Sequence, residues 1–267
     1  MNEIEIPGFS EIHPSFGQKI GQRIARFEQY CNARFRNKFA PVIKKLSPFI
    51  PPNAVIFDVG ANHGRFAKAL AKIHNGSCRV FAFEPLEYNY TLAKSVLSGH
   101  KNVKLFPVAL SNKAGEERLY VPIGKSSKRI NHVTPHMGKS GCENYFESND
   151  RKQVYWTTIQ TKTLDAIVSG ENLTQLDFIK IDVEGAENLV FAGGVKAIQK
   201  FRPIIYCEVS GHHTKKFGMS QLDSIQILLD LGYCPHVIAE NSVQKTQIGH
   251  DSHGDFLFLP HHENLSP

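Results

Sequence analysis

Several patterns that mark membrane, secreted or zinc-bound proteins are missing from these 267 residues. No apolar run approaches the ~20 residues that a membrane-spanning helix needs. The first residues, MNEIEIPGFSEIHP, are acidic and lack a long apolar core, so no secretory signal is expected. Cysteine is scarce and scattered: Cys31, Cys78, Cys142, Cys207 and Cys234 are odd in number and form no C-x-x-C. Neither a disulfide framework nor a zinc site is suggested, and a reducing, cytoplasmic setting is expected. There is no internal repeat and no low-complexity stretch.

Negative charge is nearly absent from one segment. Between Lys19 and Lys45 stand eight basic residues and a single acid, Glu28, a balance of +7 against +6 for the whole chain. The remainder sums to 6 − 7, or −1, so the basic character belongs to one segment and implies no general nucleic-acid surface. Within that segment Phe16, Ile20, Ile24, Phe27, Cys31, Phe35 and Phe39 recur at spacings of three and four, which predicts an amphipathic helix over 15–39. The expected role is a cap on the edge of the core with a solvated basic face. A lid, a dimer contact, or a surface for anionic lipid or polysaccharide is the alternative. Pro41, Pro48, Pro51 and Pro52 punctuate the way into the first strand.

The dinucleotide signature G-x-G-x-x-G is also missing, which counts against a nicotinamide dehydrogenase. In its place the stretch Ala54-Val55-Ile56-Phe57-Asp58-Val59-Gly60-Ala61-Asn62-His63-Gly64 reads as strand, tight turn and helix, with Phe66, Ala67, Leu70, Ala71 and Ile73 continuing the helix. Gly60 suits a left-handed backbone or a close approach to a ligand. Asp58 places a carboxylate at the carboxyl end of the strand, where open α/β sheets bind ligands. An acid at the mouth of this turn suits a cationic ligand without phosphates, such as S-adenosylmethionine.

Three further strands end on acids. Cys78 to Phe83 runs into Glu84-Pro85, 24 residues beyond Gly60, where a ribose is gripped by its two hydroxyls. Leu176 to Ile181 ends in Asp182, followed by Val183-Glu184-Gly185-Ala186-Glu187. Pro203 to Cys207 ends in Glu208-Val209, followed by Ser210-Gly211-His212-His213. Asp182 and Glu208 thus end successive strands, which should lie side by side. A third strand over Val103 to Leu110 offers small residues, Ala109 and Ser111, with room for an adenine.

From Lys113 the pattern changes. Gly115 to Val121 and Gln153 to Thr161 read as a β-hairpin arm around a long polar loop, 123–150, which carries His132 and His136. Thr163 caps a short helix, and Gln221 to Leu231 forms another, stopped by Gly232. Tyr233 to Ala239 and Asp255 to Leu259 are the last strands, close enough to pair antiparallel. No Asn/Asp-Pro-Pro-aromatic clamp for an extruded base follows the fourth strand, which disfavours a nucleic-acid N-methylase.

These blocks together, Phe57 to Gly64, Phe83-Glu84-Pro85, Ile179 to Glu187, and Arg202-Pro203-Ile204-Ile205 with Glu208, resemble the FkbM-type methyltransferases over about residues 50–260. The resemblance implies a Rossmann-like class I α/β fold: a mostly parallel seven-stranded sheet with an antiparallel last strand and an inserted arm. The expected division is a basic helical extension over 1–50, a methyltransferase domain over 51–260 with its arm at 113–162, and a tail over 261–267. It implies S-adenosylmethionine as cofactor and methyl transfer to a hydroxyl oxygen of a surface polysaccharide, a glycolipid or a polyketide-type product. Carried onto this chain, Asp58, Gly60, Asn62 and Gly64 frame the cofactor's methionine part, Glu84 its ribose, and Asp182 the region of the reacting methyl. Ala109 stays the candidate for the adenine. A hydroxyl nucleophile calls for a general base, for which Asp182, Glu184, Glu208, His212 and His213 are candidates. A divalent ion held by Asp182 and Glu208 is the alternative mechanism. A non-catalytic cofactor-binding protein is the alternative function. The acceptor, the oligomeric state and contact of the N-terminal helix with a membrane surface are left open.

Overall fold

The computed structural model of the chain describes residues 4–5, 27–36, 38–124, 136–137, 152–210, 221–239, 242–249 and 252–261. Short runs rich in β-branched and aromatic residues make its strands, because such side chains fit a pleated, buried surface. In chain order the longer strands begin with Val55–Val59 (β1), Arg79–Phe83 (β2), Val103–Phe106 (β3), Gly115–Gly124 (β4) and Lys152–Lys162 (β5). Then come Phe178–Ile181 (β6), Ile204–Ser210 (β7), Tyr233–Ile238 (β8), Val243–Lys245 (β9) and His253–Pro260 (β10). The helices are 27–35 (α1), Ala40–Leu46 (α2), Arg65–Leu70 (α3), Glu87–Leu97 (α4), Leu164–Gly170 (α5), Glu187–Ala192 (α6), Val195–Phe201 (α7) and Gln221–Asp230 (α8).

The main sheet has the order β9-β8-β10-β7-β6-β1-β2-β3. Neighbours from β7 to β3 are parallel, while β10 runs antiparallel to both β7 and β8. The α/β class, the mostly parallel sheet and the antiparallel C-terminal strands are as expected. The strand count is not: β9 pairs antiparallel with β8 and makes eight, where seven were expected. Val-Gln-Lys carries no apolar alternation, so only backbone pairing at the sheet edge reveals it.

Alternation along β1 sorts the two faces. Val55, Phe57 and Val59 point into a core with α5, α6, α7 and α8. Ile56 points into a second core, beneath α2, α3 and α4. Chain order reverses at β1, with β2 and β3 on one side and β6 and β7 on the other, which opens a crevice at the carboxyl edge.

β4 and β5 form the expected antiparallel hairpin, from Gly115↔Thr161 to Gly124↔Lys152. It nucleates a second sheet of five strands. Three short strands complete it: Ile4–Glu5 and Ala109–Leu110, both parallel to β5, and His136–Met137 against β4. Ile4–Glu5 thus adds a strand ahead of the helix expected over 15–39, and the loop expected at 123–150 contains the strand His136–Met137. The run from Val103 to Leu110 is also split. β3 stops at Phe106, before Pro107, which has no N–H to donate, and Ala109 pairs with Thr161 in the second sheet.

The N-terminal helix differs most from its sequence pattern. α1 ends at residue 35, and Phe39 lies in a turn, its ring 5.2 Å from that of Phe66. Phe27 and Phe35 are 66% and 76% exposed, whereas Ala33 is buried. Polar anchors fix this orientation. Lys68 on α3 donates to the carbonyls of Ala33 (2.5 Å), Arg34 (2.9 Å) and Arg36 (3.4 Å), capping the C-terminus of α1. Arg34 donates to Val96 O at 3.3 Å, and Tyr88 to Gln29 Oε1 at 2.7 Å. Phe16, Ile20 and Ile24 lie outside the described residues. Pro41 opens α2 instead of merely interrupting the chain, since the first helical turn has no use for its missing N–H.

Candidate active site

The crevice is built on the turn after β1. Gly60 takes φ +78°, and a Cβ there would lie 1.9 Å from Asp182 O, so only glycine lets the turn approach β6. Gly60 N and Ala61 N both donate to Phe83 O, at 3.1 and 2.9 Å. Asp182 N donates to Val59 O at 3.1 Å. The ends of β1, β2 and β6 are thereby laced together. Asn62 follows at φ +49°, a conformation asparagine tolerates, and stays exposed. A Cβ on Gly64 would lie 3.0 Å from Leu97 Cδ1, so this glycine seats α3 against α4.

Glu84, just past β2, is buried. Its Oε2 accepts from Asn62 N at 2.7 Å, and its Oε1 from Leu86 N at 3.0 Å and Asn89 Nδ2 at 3.4 Å. A carboxylate offers about four acceptor positions, so Oε2 keeps one for a hydroxyl donor. Burial pushes this carboxyl up to about 7, while the bonds from Leu86, Asn62 and Asn89 and the charge of Lys180 pull it back.

Under the turn runs a row that the sequence reading did not assign. Strand register places Asp58 beside Lys180, and Lys180 beside Tyr206. Lys180 Nζ lies 3.3 Å from Asp58 Oδ1 and 3.4 Å from Asp182 Oδ2, and donates to Gly60 O at 3.0 Å. Its ammonium also stands 5.6 Å from the centre of the Phe66 ring. Burial alone would lower this ammonium, but Asp182 and Asp58 outweigh it and raise it, so Lys180 stays charged. Asp58 is wholly buried, and burial raises its carboxyl against the pull of Lys180. Neither Asp58 oxygen has a well-directed hydrogen bond, so the ion pair carries its stabilisation. Asp58 therefore acts on the crevice through Lys180 and the Gly60 backbone. A lone lysine inside the apolar run Phe178-Ile179-Lys180-Ile181 was the available signal, because a buried cation needs a carboxylate.

Asp182 and Glu208 come together as expected. Cys207 pairs with Ile181, and the next residue on each strand is one of the two acids. Glu208 is opposite Asp255 on β10, a neighbour the sequence reading missed because it depends on long-range antiparallel register. Desolvation first, then the charges of Asp182 and Glu184 and a hydrogen bond to Asp182, raise the Glu208 carboxyl to about 7. The Tyr206 hydroxyl, buried and facing Asp255, is pushed up as well. Glu184 takes φ +58° in the tight turn that leads to α6, and Gly185 N donates to Glu187 Oε1 at 3.0 Å.

The other predicted positions are placed as follows. Ala109 packs with Leu86, Leu119, Ile159 and Ala186 beside this edge, on the second sheet. His212 and His213 lie outside the described residues. Among the described residues no three His, Cys, Asp or Glu side chains group as a metal site. No described helix is long and apolar enough to cross a membrane.

The chain is 26% identical over 165 residues to the 2-O-methyltransferase NoeI of Sinorhizobium fredii, a match spanning 60% of this chain and 64% of that protein. It is 30% identical over 204 residues to the AMB antimetabolite synthetase AmbE of Pseudomonas aeruginosa, spanning 67% of this chain but 9% of that protein. The chain thus covers less than two thirds of either relative. The crystal structure of an FkbM methyltransferase from Methylobacillus flagellatus superposes with a TM-score of 0.47 at 14% identity, over 91% of this chain and 60% of that one. The methyltransferase FkbM domain matches residues 58–235, from Asp58 in β1 into β8, and the chain belongs to that family.

Proposed function

We propose that the protein is an S-adenosylmethionine-dependent O-methyltransferase that acts on a sugar hydroxyl of a surface polysaccharide or glycolipid. The observation that carries this reading is the Asp182–Glu208 carboxyl pair, Asp182 just past β6 and Glu208 on the neighbouring strand β7, beside the Gly60 turn, with Glu208 raised to about 7. A base poised near neutrality is what a hydroxyl nucleophile requires. The residues fit the cofactor. The Gly60 turn has no room for a side chain, Glu84 keeps an acceptor position for a ribose hydroxyl, and the edge is acidic, without a phosphate-binding glycine loop. When bound, S-adenosylmethionine supplies an electrophilic methyl group on a sulfonium.

In this reading Asn62, Gly60 and Gly64 shape the wall for the methionine part. Glu84 holds the ribose, and Lys180 keeps the Gly60 carbonyl and Asp182 in place. Glu208 takes the acceptor's hydroxyl proton, and Asp182 and Glu184 keep its affinity for that proton high. Transfer to oxygen is supported by the NoeI match, a 2-O-methyltransferase. The AmbE match favours a second reading, O-methylation of a secondary metabolite. We place the reaction in the cytoplasm, consistent with free thiols at Cys31, Cys78, Cys207 and Cys234.

Incubation with methyl-labelled cofactor and a panel of bacterial saccharides tests the reading. Label that stays with the saccharide after alkali is the expected result, because a methyl ether survives where an ester is cleaved. Transfer only to amines, or only to carboxylates, would contradict it. We also expect Glu84→Ala to weaken cofactor binding about 10- to 100-fold, the loss of hydrogen bonds to a charged group. Unchanged affinity in a folded variant would remove the ribose assignment.

A further inference from the structure

Five cations stand together where α1 meets α3. Arg65, Lys68 and Lys72 follow one another at i, i+3 and i+7, so they share one side of α3 and its extension. Lys68, through its bonds to the carbonyls at the end of α1, brings Arg34 and Arg36 against that row. Helix dipoles account for two of the five. Lys68 caps α1, and Arg34 donates to Val96 O near the end of α4. Arg65 is placed the other way. It opens α3, where a cation meets the positive end of the helix, and its Nε is buried without a hydrogen bond. Among the described residues none of the five has a carboxylate partner.

The cluster holds itself together at an electrostatic cost. Burial first, and then Lys72, Arg34 and Arg65, push the Lys68 ammonium down. Burial and Arg36 do the same to Arg65, and burial with Lys72, Arg34 and Lys68 to His100. Lys72 also flanks, with Lys44, an open cleft of about 370 Å³ whose floor includes Ser47 and His74. Cations gathered without counter-charge form a site for an anion.

The same helix carries the two large apolar side chains that the described chain leaves in water. Phe27 and Phe35 are two turns apart, about 80° around the axis at 3.6 residues per turn, and Arg34 projects about 20° from Phe27. Lys38, Lys44 and Lys45 follow, all exposed. Exposed aromatics beside a basic rim are the composition of a helix that lies in a lipid headgroup layer.

We propose that α1, α2 and the end of α3 form a docking face for an anionic lipid surface, with Phe27 and Phe35 entering the headgroup layer and the exposed cations Arg36, Lys38, Lys44, Lys45 and Lys72 meeting lipid phosphates, while buried Lys68 holds α1 in place. This does not depend on the reaction proposed above. It would hold the crevice near lipid-linked acceptors without any membrane-spanning helix.

Co-sedimentation of the full chain with vesicles tests it. The protein is expected to bind vesicles of phosphatidylcholine with phosphatidylglycerol, and not phosphatidylcholine alone. Binding should weaken as salt rises, because the exposed charges become screened. Arg36→Gln and Lys72→Gln should each weaken it about fivefold, the worth of one cation near such a surface. Phe27→Ser with Phe35→Ser should weaken it further without altering the melting temperature. Four results would overturn the proposal: equal binding to both vesicle types; no binding to either; binding that ignores the phenylalanines and is displaced by inorganic phosphate at low concentration, which would mark a free-anion site; or a dimer that the phenylalanine variants dissolve, which would mark a protein interface. Wild-type salt dependence stands even if a variant fails to fold.

Discussion

Lys180→Met is expected to lower the stability of the fold by about 3–5 kcal/mol, the cost of stranding a buried charge by removing its partner. For a chain of this size that corresponds to a melting temperature lower by roughly 10 °C. The loss arises because Asp58 is wholly buried and Lys180 is the cation beside it, at 3.3 Å. The sign of the pH dependence follows. Burial already raises folded Asp58, and removing Lys180 raises it further above the ~3.9 of an unfolded aspartate. A group raised in the folded state contributes stability below its unfolded value and loses it as pH rises through the folded value. The deficit of the variant should therefore be small in acid and grow toward neutrality. Adding Asp58→Leu should recover most of it, since an apolar pair of similar volume replaces a buried ion pair at little cost. Thermal unfolding at two pH values checks this. An equal deficit at both, or no rescue by the second substitution, would show that Lys180 acts by packing instead.

The second large effect concerns turnover. Glu208→Gln is expected to lower kcat by about 10²–10⁴-fold, the worth of one general base, with cofactor affinity near that of the wild type. The wild-type rate should rise as pH passes about 7 and level off above, because the base works only when ionised. The variant should lose that rise. Stability runs the opposite way: raised in the folded state, Glu208 contributes most in acid and loses its contribution as pH climbs through about 7. A rate abolished by chelator and restored by magnesium would instead favour an ion held by the same carboxylates. Loss of cofactor binding in step with rate would make Glu208 a support of the site and remove its catalytic role.

Much of the site is legible because an apolar run that stops on an acid is a local signal. Glu84 and Asp182 do follow their strands, whereas Asp58 and Glu208 sit inside β1 and β7, which run on to Val59 and Ser210; parallel neighbours still put Asp182 and Glu208 side by side. The arm was legible through its alternation. Partners set by distant pairing were not. Asp255 meets Glu208 only through the register of β10, and β9 joins the sheet edge by backbone pairing with Val243 as its one apolar side chain. Lys180 was readable in principle, as a cation in a buried strand two residues before Asp182, but its other partners lie on β1 and in the Gly60 turn, more than a hundred residues away. The N-terminal helix shows a different limit. Periodicity reveals that a helix has an apolar side, yet Lys68, Arg34 and Tyr88 decide that Ala33 faces inward while Phe27 and Phe35 face water.

That the carboxyl edge of β1, β2 and β6 is a cofactor site for S-adenosylmethionine is the central claim, and calorimetric titration of the full chain with S-adenosylhomocysteine tests it most directly. One equivalent bound in the micromolar range, and no heat with NAD, is the expected result. Tight binding of NAD, with none of S-adenosylhomocysteine, would contradict it.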